Sequence, residues 1–300
     1  MPFLSLVSLY ATYLRRCFAS SGLTPQSIAV DNDTTIHFWG PEKVSADKPA
    51  LLMIHGFGAT AIWQWRTQVQ FFSPDFRVYV PDLVFFGNST TKSEERSEIF
   101  QATCLGKLME QLGVEKFHVM GTSYGGFVAY HMASMWPEKV QKVVIASSGV
   151  NMKKGDNESL IKRAGLEKVE DLLLPETTDQ LRTLTRLTVS RSFQMIPNFF
   201  LNDLLQRLFA ENRKEKLELL KGLTLGRTED ANLAPLQQDV LIVWGNQDQI
   251  FPLNMAYELK ELLGEKVRLK VLENTSHVPQ IEDSRLFNNA VNKFFCGSSR

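Results

Sequence analysis

Short apolar runs alternate with amphipathic stretches along most of the chain. Thr35–Trp39, Ala50–His55, Arg77–Pro81, Phe117–Thr122, Val140–Ser147, Val240–Gly245 and Arg268–Leu272 are brief and rich in Val, Ile and Leu. Most do not alternate with polar residues, as expected of parallel strands buried on both faces. Between them, Ile62–Phe72, Arg96–Leu112, Tyr124–Trp136 and Leu253–Leu263 carry helical spacing, and Ser284–Phe295 follows the last strand. Strand and helix in turn predict a parallel sheet covered by helices on both sides. Between about Val150 and Pro235 the strands stop. There Leu181–Arg191, Phe199–Phe209 and Lys214–Leu220 read as helix after helix, which predicts a helical cap over one end of the strands.

The organisation that follows is an apolar N-terminal helix over 1–24, a first core part over 25–150, the cap over 151–235 and a second core part over 236–300. Phe3 to Leu14 is too short to span a bilayer, which needs about 20 apolar residues. Arg15 and Arg16 follow the apolar run instead of preceding it, the wrong order for a secretory signal. Two readings stay open: a helix packed on the domain, or an interfacial segment in peripheral contact with lipid.

Composition narrows the class. Of 300 residues, 44% are hydrophobic and 22% charged, which excludes a disordered, collagen-like or many-span membrane chain. Lys+Arg 33 against Asp+Glu 33 leaves no net charge, so no nucleic-acid partner is expected. Cys17, Cys104 and Cys296 are far apart, with no CxxC or His-rich neighbour. They predict neither a disulfide framework nor a metal site, and point to the cytoplasm.

The candidate chemistry starts at Gly121-Thr122-Ser123-Tyr124-Gly125, an apolar strand turning sharply into a helix. Glycines around such a turn let strand and helix approach closely, so that Ser123 Oγ projects at a helix N-terminus. A serine hydroxyl needs a base to take its proton. His277 follows the strand Arg268–Leu272 and sits in a loop at a strand's C-terminal end, where sites in open parallel sheets form. His37, His118 and His131 lie within strands or well along a helix, and read as satisfied structural residues. Asp248, just beyond Val240–Gly245, is placed to orient the imidazole; Asp82 competes and reads as a turn-stabilising carboxylate. The oxyanion of an attacked carbonyl needs preorganised N–H donors. Those expected are the backbone N–H groups of Tyr124 and of Phe57, in the loop His55-Gly56-Phe57-Gly58, with His55 shaping that loop.

HGFG, PDLVFFGNS, GTSYGG, VWGNQD and SHVPQIED stand in order over nearly the whole chain. Together they resemble the α/β-hydrolase superfamily, whose nucleophile–acid–base order matches Ser123, Asp248, His277. Within it the chain resembles plant enzymes similar to monoacylglycerol lipases and carboxylesterases, and more distantly the bacterial meta-cleavage carbon–carbon hydrolases. The resemblance implies an α/β-hydrolase fold with a helical cap, and a cofactor-free hydrolase acting through these three residues. A serine nucleophile separates it from the dehalogenase and epoxide-hydrolase branches. One departure is Val84-Phe85-Phe86-Gly87, where relatives carry a smaller Gly-x-Gly. Phe85 and Phe86 either line a substrate pocket or fill core.

The cap carries Leu173, Leu174, Phe193, Met195, Ile196, Phe199, Phe200 and Phe209, expected mostly as cap core. No cationic cluster marks a phosphate or carboxylate clamp at the site. The expected reaction is hydrolysis of a lipophilic small or medium ester, such as a monoacylglycerol. Two alternatives are carbon–carbon hydrolase or lyase chemistry on the same three residues, and a small-molecule receptor with little turnover.

Overall fold

A computed structural model describes residues 5–43, 45, 47–190 and 196–297. The chain opens with helix α1 (Leu6–Ser20), capped by the Ser5 hydroxyl, and strands β1 (Leu23–Ala29) and β2 (Thr34–Pro41). Then come β3 (Ala50–Ile54), α2 (Ala61–Gln64), α3 (Arg66–Phe72), β4 (Arg77–Pro81), β5 (Thr90–Thr91), α4 (Glu98–Gln111), β6 (Phe117–Thr122), α5 (Tyr124–Met135) and β7 (Val140–Ala146). The helical insert follows: α6 (Asp156–Ala164), α7 (Val169–Leu173), α8 (Thr178–Thr188), α9 (Asn198–Leu204), a wider π-turn (Leu205–Phe209) and α10 (Arg213–Gly222). The chain closes with β8 (Asp239–Gly245), α11 (Leu253–Leu263), β9 (Val267–Leu272), α12 (Pro279–Glu282) and α13 (Ser284–Cys296).

The strands form one sheet in the order β1-β2-β4-β3-β6-β7-β8-β9, with β5 beside β2. The pairs from β4 to β9 are parallel, whereas β1, β2 and β5 run antiparallel at one edge. Leu52 and Ile54 enter one hydrophobic core, while Leu51 and Met53 enter the other, as the two-residue period of a strand requires. Burial on both faces explains why the central strands read as unbroken apolar runs.

Most expected elements stand within a few residues of their sequence positions. The stretch over 62–72 breaks at Trp65 into two helices, and the stretch over 199–209 ends in the π-turn. β1 and β5 had no apolar run to mark them: Leu23-Thr24-Pro25-Gln26-Ser27-Ile28-Ala29 is an edge strand, and its Pro25 is tolerated there. β1 starts inside the 1–24 segment assigned to the N-terminal helix.

The insert leaves after β7 and returns to β8, its parallel neighbour, so it interrupts no strand pair. It has its own small core of Leu174, Leu181, Leu201, Leu205 and Phe209, with Ile196 packed against it. Phe199 departs from the expected cap core, being 68% exposed. Phe193 and Met195 lie outside the described residues. Glu98, fully buried on α4, accepts hydrogen bonds from the backbone N–H of Thr224 (3.0 Å) and Leu225 (3.3 Å) and from the Thr224 hydroxyl. Arg96 Nε lies 2.7 Å from Glu218 Oε2 on α10, tying the same end of the insert to the sheet side.

Helix α1 buries Val7, Ala11, Leu14, Cys17 and Phe18 against the domain. Its opposite side exposes Leu6, Leu9, Tyr10 and Tyr13, each about half accessible. Among the described residues no helix is long and apolar enough to cross a membrane.

Candidate active site

Ser123 sits between β6 and α5 with φ 51° and ψ −122°, a strained conformation for a residue bearing a side chain. The turn closes because Gly125 lacks a side chain: a Cβ there would lie 2.3 Å from the Ile54 carbonyl oxygen of β3. The Ser123 backbone N–H donates to Ala146 O (2.9 Å), and its carbonyl accepts from the Ser148 hydroxyl (2.6 Å). The strain is therefore held from the two neighbouring strands, and Oγ is left free to meet its partner.

That partner is His277. Its Nε2 lies 3.0 Å from Ser123 Oγ, and its Nδ1 lies 3.0 Å from Asp248 Oδ2. The structure thus brings together all three side chains from β6, β8 and β9 ends far apart in sequence. Asp248 points its other oxygen, Oδ1, at the backbone N–H groups of Ile250 (2.9 Å) and Phe251 (3.0 Å), which fixes the carboxylate plane. Phe251 covers the imidazole edge-on at 5.5 Å, and the Asp248 side chain is wholly buried. Low local polarity strengthens such a charge-assisted chain.

The loop after β3 lies against the Ser123 turn. A Cβ on Gly56 would reach within 3.0 Å of Ser123 Cβ, so only glycine fits without displacement. Gln64 clamps this loop: its Oε1 accepts from Gly56 N (2.7 Å) and its Nε2 donates to Gly56 O and Ala59 O. His55 is fully buried; Nδ1 donates to Gly56 O (2.8 Å) and Nε2 accepts from Leu83 N (2.9 Å). Burial holds its pKa below the ordinary histidine value, which keeps the ring neutral. His55 therefore joins the two loops beside the site. Among the described residues, the N–H groups of Phe57 and Tyr124 have no hydrogen-bond acceptor, and Tyr124 N is one of the unpaired donors at the start of α5.

The remaining sequence candidates sit behind this loop. Asp82 accepts from Ala61 N (3.0 Å) and pairs with His37 Nδ1 (3.0 Å), away from His277. Phe86 is fully buried with its ring against His55 and Phe57, and Phe85, also buried, lies under the Arg96 guanidinium at 4.6 Å. Both aromatic rings belong to the main core, and Phe86 reaches the site through Phe57. His118 stacks on Phe295, yet its Nδ1 is buried without a partner, so it is structural without being satisfied. His131 Nε2 lies 3.5 Å from Glu98 Oε1, close enough for attraction but not aligned as a hydrogen bond.

Several contributors carried no mark in the sequence. The backbone N–H of His277 donates to Thr188 O at the end of α8 (3.1 Å), and the Ser276 hydroxyl donates to Leu187 O (3.2 Å). Glu282 Oε1 accepts from Ser276 N (2.7 Å), while its Oε2 accepts from Ser190 N (2.7 Å) and from the Ser190 hydroxyl. The motif SHVPQIED contains Glu282, but its partner Ser190 lies 92 residues away in the insert.

Known proteins with similar sequences match most of this chain. A 2-hydroxy-6-oxo-6-phenylhexa-2,4-dienoate hydrolase of Burkholderia cepacia is 26% identical over 251 residues, covering 80% of this chain and 85% of its own. A monoacylglycerol lipase of Mus musculus is also 26% identical, over 250 residues, covering 79% and 73%. Among solved structures, a bacterial membrane phospholipase A superposes with a TM-score of 0.80 at 22% identity, covering 97% of this chain and 91% of that one; this likeness speaks for the fold alone. The alpha/beta hydrolase fold family matches residues 49–284, from the strand before the HGFG loop into the last helix, and the chain belongs to that family.

Proposed function

We propose that this protein is a serine ester hydrolase acting on a lipophilic small or medium ester, with monoacylglycerols as the leading class. The observation that carries the reading is the continuous 3.0 Å relay Ser123 Oγ–His277 Nε2 and His277 Nδ1–Asp248 Oδ2. As Ser123 Oγ attacks the ester carbonyl, His277 Nε2 takes its proton, and Asp248 stabilises the imidazolium that forms. The carbonyl oxygen becomes an oxyanion facing the free N–H groups of Phe57 and Tyr124. One such donor is worth about 2.7–4 kcal/mol in related chemistry. His277 then protonates the leaving alcohol, and the acyl group stays on Ser123. Water enters, gives its proton to His277 and attacks the acyl carbonyl, releasing the acid and restoring the hydroxyl.

An apolar acyl portion is supported by the surrounding side chains: Phe251 beside the imidazole, Phe57 in the loop, and Phe209 of the insert, which packs over Gly58. Phe86 backs Phe57 and sets the depth of that wall. The exposed α1 residues Leu6, Leu9, Tyr10 and Tyr13 support peripheral contact with a lipid surface. Kinship to the plant lipase-like enzymes rests on the motif string, and a cytoplasmic place on the unpaired thiols.

The test is hydrolysis of p-nitrophenyl esters and monoacylglycerols of increasing chain length by wild type and Ser123→Ala. Turnover abolished by the substitution, with a fluorophosphonate probe labelling only the wild type, is the expected result. Full esterase activity in Ser123→Ala would overturn the assignment. The name of the Burkholderia relative favours a second reading, carbon–carbon hydrolysis of a dienoate. Faster turnover of such a dienoate than of any ester would establish it.

A further inference from the structure

A cavity of about 560 Å³ lies between α1, β2, the π-turn of the insert and the loops that follow β3 and β4. Ser123, Asp248 and His277 do not line it. Its volume falls within the range of small-molecule sites, about 300–1,000 Å³.

The cavity holds a charge that the fold leaves unmatched. Lys216, on α10, is only 2% exposed and lines the cavity. Among the described residues its Nζ has no hydrogen-bond acceptor and no carboxylate within 4.0 Å; the face of Phe86 lies 4.9 Å away, and the Glu211 carboxylate attracts it from beyond pairing range. Both carboxylates in the lining are placed elsewhere. Asp82 is taken up by His37 and Ala61, and Glu211 stands exposed at the rim. Burial drives the Lys216 ammonium below the ordinary lysine pKa, against the pull of the Glu211 carboxylate. A buried ammonium without a partner is costly, and such groups are normally paired.

Two more cations complete the picture. Arg15 of α1 and Arg207 of the insert reach the same cavity, so that, apart from His37, three cationic side chains face two carboxylates. Arg207 pairs with Asp203 at 3.7 Å, and of the three cations only Lys216 is buried, so one acidic head group would match it. Trp39, Ile62, Trp63 and Leu208 give the wall an apolar and aromatic side, while Ser8, Thr12, Thr60 and Asn88 add neutral polar groups. Charge at one end and rings along the side suit a molecule with an acidic head and a hydrocarbon body.

We propose that this cavity is a binding site for a carboxylate-headed amphiphile of the fatty-acid type, its head on Lys216 and its chain along Trp39 and Trp63. The site is separate from the ester chemistry and stands whether or not that chemistry is correct. Phe86 neighbours both Lys216 and Phe57, so that ring connects the lysine to the loop beside Ser123.

The experiment is isothermal titration of the full chain with octanoate, 1-octanol and inorganic phosphate. Octanoate is expected to bind at one saturable site, with octanol and phosphate giving no saturable heat. In Lys216→Met, which keeps the stem and removes the charge, the octanoate dissociation constant should rise about tenfold or more, as for loss of a charge-assisted hydrogen bond. Lys216→Arg should stay within about threefold of wild type. Should Lys216→Met fail to fold, the exposed pair Arg15→Gln with Arg207→Gln carries the test, with an expected weakening of about threefold. Equal octanoate affinity in wild type and Lys216→Met would overturn the proposal, because binding would then be at another site. Equal weakening by Met and Arg, or phosphate binding as tightly as octanoate, would overturn it as well.

Discussion

The backbone N–H of His277 donates to the carbonyl oxygen of Thr188 across 3.1 Å, joining the imidazole's own residue to the end of an insert helix. Glu282 reinforces the junction by accepting from Ser276 on one side and Ser190 on the other. The insert therefore helps to position His277 as well as to cover the site. Glu282→Gln keeps the shape and weakens three charge-assisted bonds; kcat for an ester substrate should fall about tenfold with KM nearly unchanged. A rise in KM alone would assign Glu282 to substrate binding instead, and unchanged kcat and KM would remove it from positioning His277.

Asp248 holds His277 through Nδ1 while its other oxygen is locked by two backbone N–H groups. Asp248→Asn should preserve the fold and lower kcat by a factor on the order of 10⁴, the size of effect known for the serine protease counterpart. Circular dichroism would confirm the fold, and steady-state kinetics the loss. A fall of less than tenfold would mean that Asp248 does not orient the base.

His118 makes stability depend on acid. Burial, aided by nearby Lys142, lowers its pKa from the ordinary histidine value to about 4. Below about pH 6.5 the unfolded chain takes up a proton that the folded one refuses, so stability falls as pH drops to about 4 and then levels off. The full loss amounts to about 3 kcal/mol. Denaturant unfolding of wild type and His118→Leu at pH 7.5 and pH 4.5 should show a smaller acid loss in the variant.

Glu98 fastens the exit of the insert. Burial pushes its pKa up, but the neighbouring His131 and the Thr224 hydroxyl and backbone N–H pull it further down, leaving it below the ordinary carboxylate value. Its contribution is therefore present above about pH 4.3 and fades as the pH falls through the lowered pKa. Glu98→Gln should cost about 1–3 kcal/mol of stability at pH 7. Limited proteolysis should then cut first near residues 222–235.

The exposed α1 stripe predicts lipid binding that depends on charge and apolar contact together. Sedimentation with vesicles containing anionic lipid should carry wild type down, and Leu9→Ser with Tyr13→Ser should reduce the bound fraction severalfold. Equal sedimentation of both proteins would remove α1 from the lipid contact.

How much of this was legible in the sequence depends on the range of the interaction. The buried strands announce themselves because both faces meet apolar side chains, and GTSYGG announces its turn because Gly125 must pass the β3 backbone. Ser123, Asp248 and His277 were readable from their places at strand ends, and the structure brings them into one hydrogen-bonded relay. β1 was not readable, since its residues are half buried at an edge and include a proline. The contacts of Thr188, Glu282 and Lys216 were not readable either. Each depends on where the insert docks, and no local pattern encodes a partner some ninety residues or more away.

The connection between the insert and the His277 loop has a bearing on grafting. Because the insert departs and re-enters between adjacent parallel strands, it resembles an exchangeable cassette. A foreign segment spliced in at those points would fill the gap in the chain, yet it would leave His277 without the carbonyl that holds its backbone. Chimaeras of this enzyme that swap specificity should regain speed only when the donor brings its own acceptor to that spot.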